Sequence, residues 1–310
     1  MFRIETETFG EYEAYHLADA TGAHQLKLVP AFGACVIGLR LHGQPVLDTY
    51  QTPKEMSINR WAKNVLLYPF PNRLKQGQYE WEGQAYQFPV NDAPTNNALH
   101  GFGTEQKMEV ATAEADAESA LIRCRFDYGG GLAYYPFPFR FEATFMLQAG
   151  RLTVELSVEN TGKRALPFGM GWHPYFRLSD DLPNHQLQLP PCEMVGVDAE
   201  MIPTGKRYEY TTFSQPRRIG TEVLDNCFAL RQQEGRIQIQ LAYAGQELAY
   251  WQEVGKGGFP FVQLFTPPHR TCIAIEPMTC NIDAFNNGEG LIKVEPGGHH
   301  VAVFGVEKRT

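Results

Sequence analysis

Four short polar islands interrupt an otherwise regular chain, and they hold the residues best suited to moving protons. They are Tyr68-Pro69-Phe70-Pro71-Asn72-Arg73-Leu74, Asn96-Asn97-Ala98-Leu99-His100-Gly101-Phe102-Gly103, Gly169-Met170-Gly171-Trp172-His173-Pro174-Tyr175-Phe176 and Ala274-Ile275-Glu276-Pro277-Met278-Thr279. Two of the nine histidines sit in these settings. His173 precedes Pro174, which keeps its backbone extended and limits where the imidazole can point. His100 precedes Gly101, which lets other backbone or a ligand come close. A catalytic acid or a polar ligand contact requires such placement, and a core histidine with satisfied hydrogen bonds is compatible with it too.

Glu276 interrupts the apolar run Cys272-Ile273-Ala274-Ile275. Buried, it needs a partner or a raised pKa; exposed, it needs neither. Pro277 is expected to end the strand there, and strand ends are common places for sites. Arg73 follows a Pro-rich turn beside Asn72 and reads as a solvated loop arginine unless something else claims it. Asp225, in Val223-Leu224-Asp225-Asn226-Cys227-Phe228, reads as an ordinary turn aspartate on its own.

Other chemistries lack their signatures. There is no GxGxxG or GxxxxGK[ST] phosphate cradle and no GxSxG nucleophile elbow. His299 and His300 are adjacent, so on a strand their side chains face opposite ways and make poor joint ligands for one metal. No HxH or HExxH spacing occurs, so neither a metal nor a cofactor is expected.

The elements that must position these islands are strands. Leu152, Val154, Leu156 and Val158 alternate with Arg151, Thr153, Glu155 and Ser157, and Ile237, Ile239 and Leu241 alternate with Gln238 and Gln240. Period-two alternation belongs to half-buried strands. Shorter versions occur at 25–29, 121–128, 141–147 and 301–306, separated by turns such as Gly129-Gly130-Gly131, Asn160-Thr161-Gly162 and Gly297-Gly298. Helical signal is thin: Ala111 to Ala120 has good helix formers but reads equally as a loop between strands. No linker, charge block or fixed-period repeat divides the chain. The expectation is an all-β fold, a single large antiparallel β-sandwich domain over residues 1–310.

Bulk properties narrow the function classes. With 27 Lys and Arg against 35 Asp and Glu, the chain carries a net charge of -8 and lacks the basic balance a general nucleic-acid binder needs. No stretch approaches the roughly 18 apolar residues of a membrane span. The first seven residues carry acids and no apolar run, so no signal peptide is expected. Six dispersed cysteines form no CxxC pair, and a reduced, cytoplasmic protein, monomeric or homodimeric, is the plainest expectation.

Taken in order, the islands resemble the aldose 1-epimerase (galactose mutarotase) superfamily. The resemblance rests on Asn72-Arg73, then Asn97-Ala98-Leu99-His100-Gly101, then His173-Pro174-Tyr175-Phe176, then Asp225, a late Glu276 and the Pro296-Gly297-Gly298 turn before a final strand, and it spans roughly residues 25 to 306. It implies a β-supersandwich with an open sugar-binding cleft. In it Glu276 matches the general base, His173 the general acid, and His100 a second histidine near the ring oxygen. Arg73 and Asp225 match residues that bind sugar hydroxyls, with Asn72 beside them. Trp172 and Tyr175 are candidates to pack on the sugar's C–H face, core packing being the alternative. Two departures bear on which sugar is used rather than on the chemistry: Pro69-Phe70-Pro71 precedes Asn72, and Glu276 is followed by Pro-Met-Thr.

The implied reaction suits these groups. Interconverting α and β anomers removes the C1-hydroxyl proton, protonates the ring oxygen, turns the C1–C2 bond and closes the ring on the other face. With reference pKa values of about 4.3 and 6.5, a Glu is ionised and a His can be protonated near neutrality. A hexose-6-phosphate epimerase is the nearest alternative, since His100-Gly101-Phe102 also occurs in that branch. It would need cations at the cleft mouth, for which Arg60, Lys63 and Lys75 are candidates. A non-catalytic carbohydrate-binding or sugar-sensing protein is the third reading, disfavoured by the acid–base set.

Overall fold

The computed structural model describes residues 1–309. Alternation became strands as expected. Phe139–Gln148 and Arg151–Asn160 pair antiparallel in full register and bury every second side chain. They lie in a nine-stranded antiparallel sheet that also holds Glu109–Ala115, Ser119–Tyr128, His299–Lys308, Gln246–Val254 and Gly235–Tyr243. The chain's last long strand, His299–Lys308, is therefore central to this sheet, between Arg151–Asn160 and Gln246–Val254.

A second sheet of eight strands faces it. Its middle is Asp225–Leu230, Phe261–Phe265 and Ile273–Met278, flanked by Gly171–Trp172, Tyr175–Phe176 and Leu66–Leu67. All six residues of Ile273–Met278 are buried, as are the first four of Phe261–Phe265. These strands are covered on both faces, which is why they read as continuous apolar runs rather than as alternation. Trp172 stacks on Phe304 at 5.4 Å, a contact between the two sheets, and Tyr68, next to the Leu66–Leu67 strand, stacks on Phe141 at 4.0 Å. One hydrophobic cluster reaches from Phe2 to Val306. A five-stranded meander, Phe2–Phe9 through Gln44–Pro45, completes the architecture.

Two local expectations are corrected. The 111–120 segment is neither helix nor loop. Glu109–Ala115 and Ser119–Tyr128 form a hairpin, and Asp116 Oδ1 closes the turn by accepting from the Glu118 and Ser119 amides, both at 2.8 Å. Pairing along the sheet edge outweighs the modest helix propensity of Ala and Glu.

Pro277 does not end its strand, which runs to Met278. On the side facing Gly171–Trp172, the Ile275 amide donates to Pro174 O and the Thr279 amide to Met170 O. Pro277 lies between them, where the ladder is interrupted by the His173-Pro174 excursion, so its missing N–H forfeits no ladder bond to that neighbour. Glu276 is thus held mid-strand, near the middle of a sheet.

All six cysteines are buried and unpaired. No helix among the described residues is long and apolar enough to cross a membrane.

Candidate active site

Strand register alone places the cleft floor. Directly opposed residues share a sheet face, and Asp225 opposes Phe265, Gln263 opposes both Cys227 and Glu276, and Phe265 and Tyr175 both oppose Ala274. Asp225, Gln263, Phe265, Glu276 and Tyr175 therefore project from one face of adjacent strands. Over that face lies a cleft of about 490 Å³, within the usual range of roughly 300–1,000 Å³ for small-molecule sites. Asn72, Arg73, His100 and His173 are among the polar residues that line its walls.

The two loop islands lock together. Ala98–Leu99 pairs with Arg73–Leu74, the His100 amide donates to Asn72 O at 2.8 Å, and the Asn72 amide donates to His100 Nδ1 at 3.2 Å. With Nδ1 accepting, the proton of neutral His100 sits on Nε2. Asn72 and His100 both adopt positive φ, 58° and 63°. Gly101 must be glycine: φ is +64° and an added Cβ would lie 2.4 Å from Tyr68 O.

His173 is set by backbone. Its amide donates to Val65 O, and its carbonyl accepts from the Asn64 amide at 2.9 Å. Its ring stacks on Tyr175 (5.0 Å, 12°) and meets His100 edge-on at 5.2 Å. Its Nε2 lies 3.4 Å from Glu276 Oε1. Both side chains are almost wholly enclosed, yet His173 Nδ1 and Glu276 Oε2 have no hydrogen-bond partner among the described residues.

Burial moves the two groups in opposite directions, because each charged form loses hydration. Glu276 is pushed well above the usual carboxylate range, first by burial and then by Asp225, with Arg73 opposing. His173 is pushed down to about 3 by burial. His100 is also pushed well down, by burial and then by the neighbouring His173 and Arg73. Asp225 is raised by burial, against the pull of Arg73 and the Gln263 hydrogen bond.

A run of side chains spans the floor. Asn72 Oδ1 accepts from the Arg73 amide (2.9 Å) and Nη1 (3.3 Å), Asn72 Nδ2 donates to Gln263 Oε1 (3.2 Å), and Gln263 Nε2 donates to Asp225 Oδ1 (2.8 Å). Arg73 Nε is paired with Asp92 at 2.9 Å. Arg73 is therefore not a free loop arginine, nor is Asp225 a turn residue: it begins a strand. Gln263 was missed in the sequence, although a lone amide inside Phe261-Val262-Gln263-Leu264-Phe265 was a visible signal.

Trp172 does not line the cleft. It is 0% exposed, stacks on Phe304 and donates from Nε1 to Asn64 O at 3.1 Å. Its strand turns that side chain toward the opposing sheet, so the core-packing alternative holds. The aromatic wall is instead Trp61, Tyr175 and Phe265, with Trp61 and Phe265 centroids 5.6 Å apart. Tyr175 Oη donates to Trp61 O at 2.9 Å. Trp61 carries φ +70°, a bend that no sequence pattern announced.

The candidate phosphate-binding cations do not line the cleft. Lys63 pairs with Asp48, Arg60 lies over the Trp61 ring, and Lys75 lines a separate groove with Gln76 and Gln78. None of the three lines the cleft, whose charged side chains are Arg73, Glu105, Asp225 and Glu276. Among the described residues no group of three or more His, Cys, Asp or Glu is placed to hold a metal ion.

Comparison with known proteins adds three findings. The family model described as aldose 1-epimerase matches residues 20–306. The chain is 27% identical over 266 residues to the uncharacterised protein YihR of Escherichia coli K12, covering 82% of this chain and 81% of that one. In structure it resembles a galactose mutarotase-like protein of Clostridium acetobutylicum (TM-score 0.88, 20% identity, 100% and 98% of the two chains). It also resembles galactose 1-epimerase of Lactobacillus acidophilus (TM-score 0.84, 16% identity, 100% and 98%).

Proposed function

Given that the chain belongs to the aldose 1-epimerase family, we propose that it is a mutarotase that interconverts the α and β anomers of a neutral hexose by acid–base ring opening. The observation that carries this reading is the His173–Glu276 pair: 3.4 Å apart on the cleft floor, enclosed, and each with one unmet polar atom.

The pair functions with one proton between its members. Burial favours neutral Glu276 and neutral His173. Moving that proton across the gap gives carboxylate and imidazolium, at the same total charge. Sugar hydroxyls that hydrogen-bond to the charged form favour it. Glu276 then takes the C1-hydroxyl proton while His173 protonates the ring oxygen. After rotation about C1–C2, closure on the other face returns both protons. Because the two groups interact, pH profiles report apparent values of the pair and not of either residue.

His100, with its proton on Nε2, donates toward the ring oxygen. Arg73 and Asp225 hold sugar hydroxyls, with Asn72 and Gln263 fixing their spacing. Trp61, Tyr175 and Phe265 offer apolar faces to the sugar's C–H groups. Arg73 is already compensated by Asp92, and three acids, Glu105, Asp225 and Glu276, line the cleft, which favours a neutral sugar over a hexose phosphate.

Anomer exchange on α-glucose, α-galactose and glucose 6-phosphate, followed by polarimetry or NMR, tests the proposal. Acceleration of a neutral sugar is expected, abolished by Glu276→Gln and reduced by His173→Ala. Binding without acceleration supports the sugar-sensing reading instead. A preference for the phosphorylated sugar overturns the substrate assignment.

A further inference from the structure

We propose that Asn64 is a positioning residue for the acid–base pair, acting through the backbone of residues 173–175; the inference rests on the mutarotase reading above. The His173-Pro174 excursion leaves the chain between Gly171–Trp172 and Tyr175–Phe176 without a continuous strand partner. Asn64 supplies the missing bonds. It is 0% exposed, and each of its polar atoms has a hydrogen-bond partner.

The Asn64 amide donates to His173 O (2.9 Å), and its carbonyl accepts from Trp172 Nε1 (3.1 Å). Its side chain behaves as a peptide unit inserted between two segments: Oδ1 accepts from the Tyr175 amide (3.0 Å) and Nδ2 donates to Asp48 O (2.8 Å). Asp48 in turn donates from its amide to Tyr175 O at 2.8 Å, and its carboxylate pairs with Lys63 and Arg177. Positive φ at Asn64 (58°) suits asparagine, which tolerates the left-handed region better than other side chains.

This matters because no side chain orients the His173 imidazole from behind. Nδ1 has no partner, and Nε2 meets only Glu276. The ring's direction is set by its backbone and by the Tyr175 ring stacked on it, and Asn64 bonds to the backbone of both residues. A misplacement of about 1 Å at a reacting group can lower a rate roughly 100-fold.

The test is anomer exchange at varied sugar concentration and pH, on wild type, Asn64→Gly and Asn64→Asp. Asn64→Gly keeps the backbone conformation and removes both side-chain bonds. It is expected to lower kcat roughly 10- to 100-fold while KM changes by no more than about threefold. Neutral Asp at 64 can reproduce both bonds, with its hydroxyl donating to Asp48 O; ionised, it cannot donate. Asn64→Asp is therefore expected to approach wild-type kcat at low pH and to lose it as pH rises.

Asn160 provides the control for general loss of stability. It is another buried asparagine, bonded to Arg164 O, Val294 O and the Gly162 amide, outside the cleft lining. Asn160→Gly is expected to leave kcat unchanged in the folded protein. Wild-type kcat in folded Asn64→Gly overturns the inference, as does a loss confined to KM. If Asn64→Gly does not fold, a kcat–pH profile of Asn64→Asp parallel to wild type overturns it. An inactive wild type refutes the mutarotase reading itself, a distinguishable outcome.

Discussion

Glu276→Gln should separate activity from stability in one substitution. The residue is 1% exposed, Oε2 has no partner, and burial raises the pKa. Glutamine keeps the shape and removes the ability to accept a proton. Loss of one positioned base is typically about 10²–10⁴-fold in rate, or roughly 2.7–5.4 kcal/mol of barrier at about 1.36 kcal/mol per decade.

Stability should move the other way. The folded state holds the Glu276 proton more tightly than the unfolded chain does. The wild type therefore has this group's full stability below the unfolded value of about 4.3 and loses it as pH rises through the folded pKa. Glutamine does not titrate, so its advantage is near zero at pH 4 and grows with pH. Glutamine leaves the same position without a partner but uncharged, so the difference is the added cost of holding a charge there, about 1–3 kcal/mol. For 310 residues, an unfolding entropy of about 2.1 cal/mol/K per residue sums to roughly 0.65 kcal/mol/K. The expected gain in Tm is then about 1.5–4.5 °C at pH 8. Thermal unfolding of both proteins at pH 4.5, 6 and 8, with NMR exchange rates on the same samples, measures both effects. A Tm difference that is flat or shrinks with pH refutes the burial argument, and a wild-type exchange rate refutes the base assignment.

Four further substitutions have expected outcomes. Asp225→Asn removes a charge that raises Glu276, so the acid limb of kcat/KM should shift to lower pH while KM rises; a fixed or upward-moving limb contradicts the electrostatic coupling. Trp61→Ala should raise KM about 2- to 10-fold through loss of an aromatic contact of roughly 0.5–1.5 kcal/mol. Trp172→Phe should leave KM unchanged and lower Tm, and equal KM effects would place the aromatic wall wrongly. Tyr68 Oη is buried without a partner among aromatic rings, so Tyr68→Phe should be neutral or stabilising by about 1–3 kcal/mol in denaturant titration, and a clear loss would reveal an unrecognised partner.

The β architecture was legible because its signal is local. Alternation at Arg151–Asn160 reports which side chains face a core, whatever the strand pairs with. The polar islands were legible for a similar reason: His, Asn and Glu amid apolar, Gly- and Pro-rich sequence are improbable unless placed. Their roles came only from resemblance. What Arg73, His100, His173, Asp225 and Glu276 share is a location, and strand order and register decide location across as many as 203 positions of sequence between Arg73 and Glu276.

The misjudged residues make the same point. Trp172 and Trp61 are chemically identical, and nothing local says which one faces a ligand. Gly171–Trp172 sits so that its tryptophan meets Phe304, while a left-handed bend swings Trp61 over the cleft. Pro277 stays within its strand because the neighbouring chain departs at His173 and leaves no ladder bond to be lost. Composition and period determined that the chain would build sandwiched sheets with proton-active residues at their interruptions. Only tertiary structure decided that Glu276 would be enclosed 3.4 Å from His173, since burial and distance depend on partners far away in the chain.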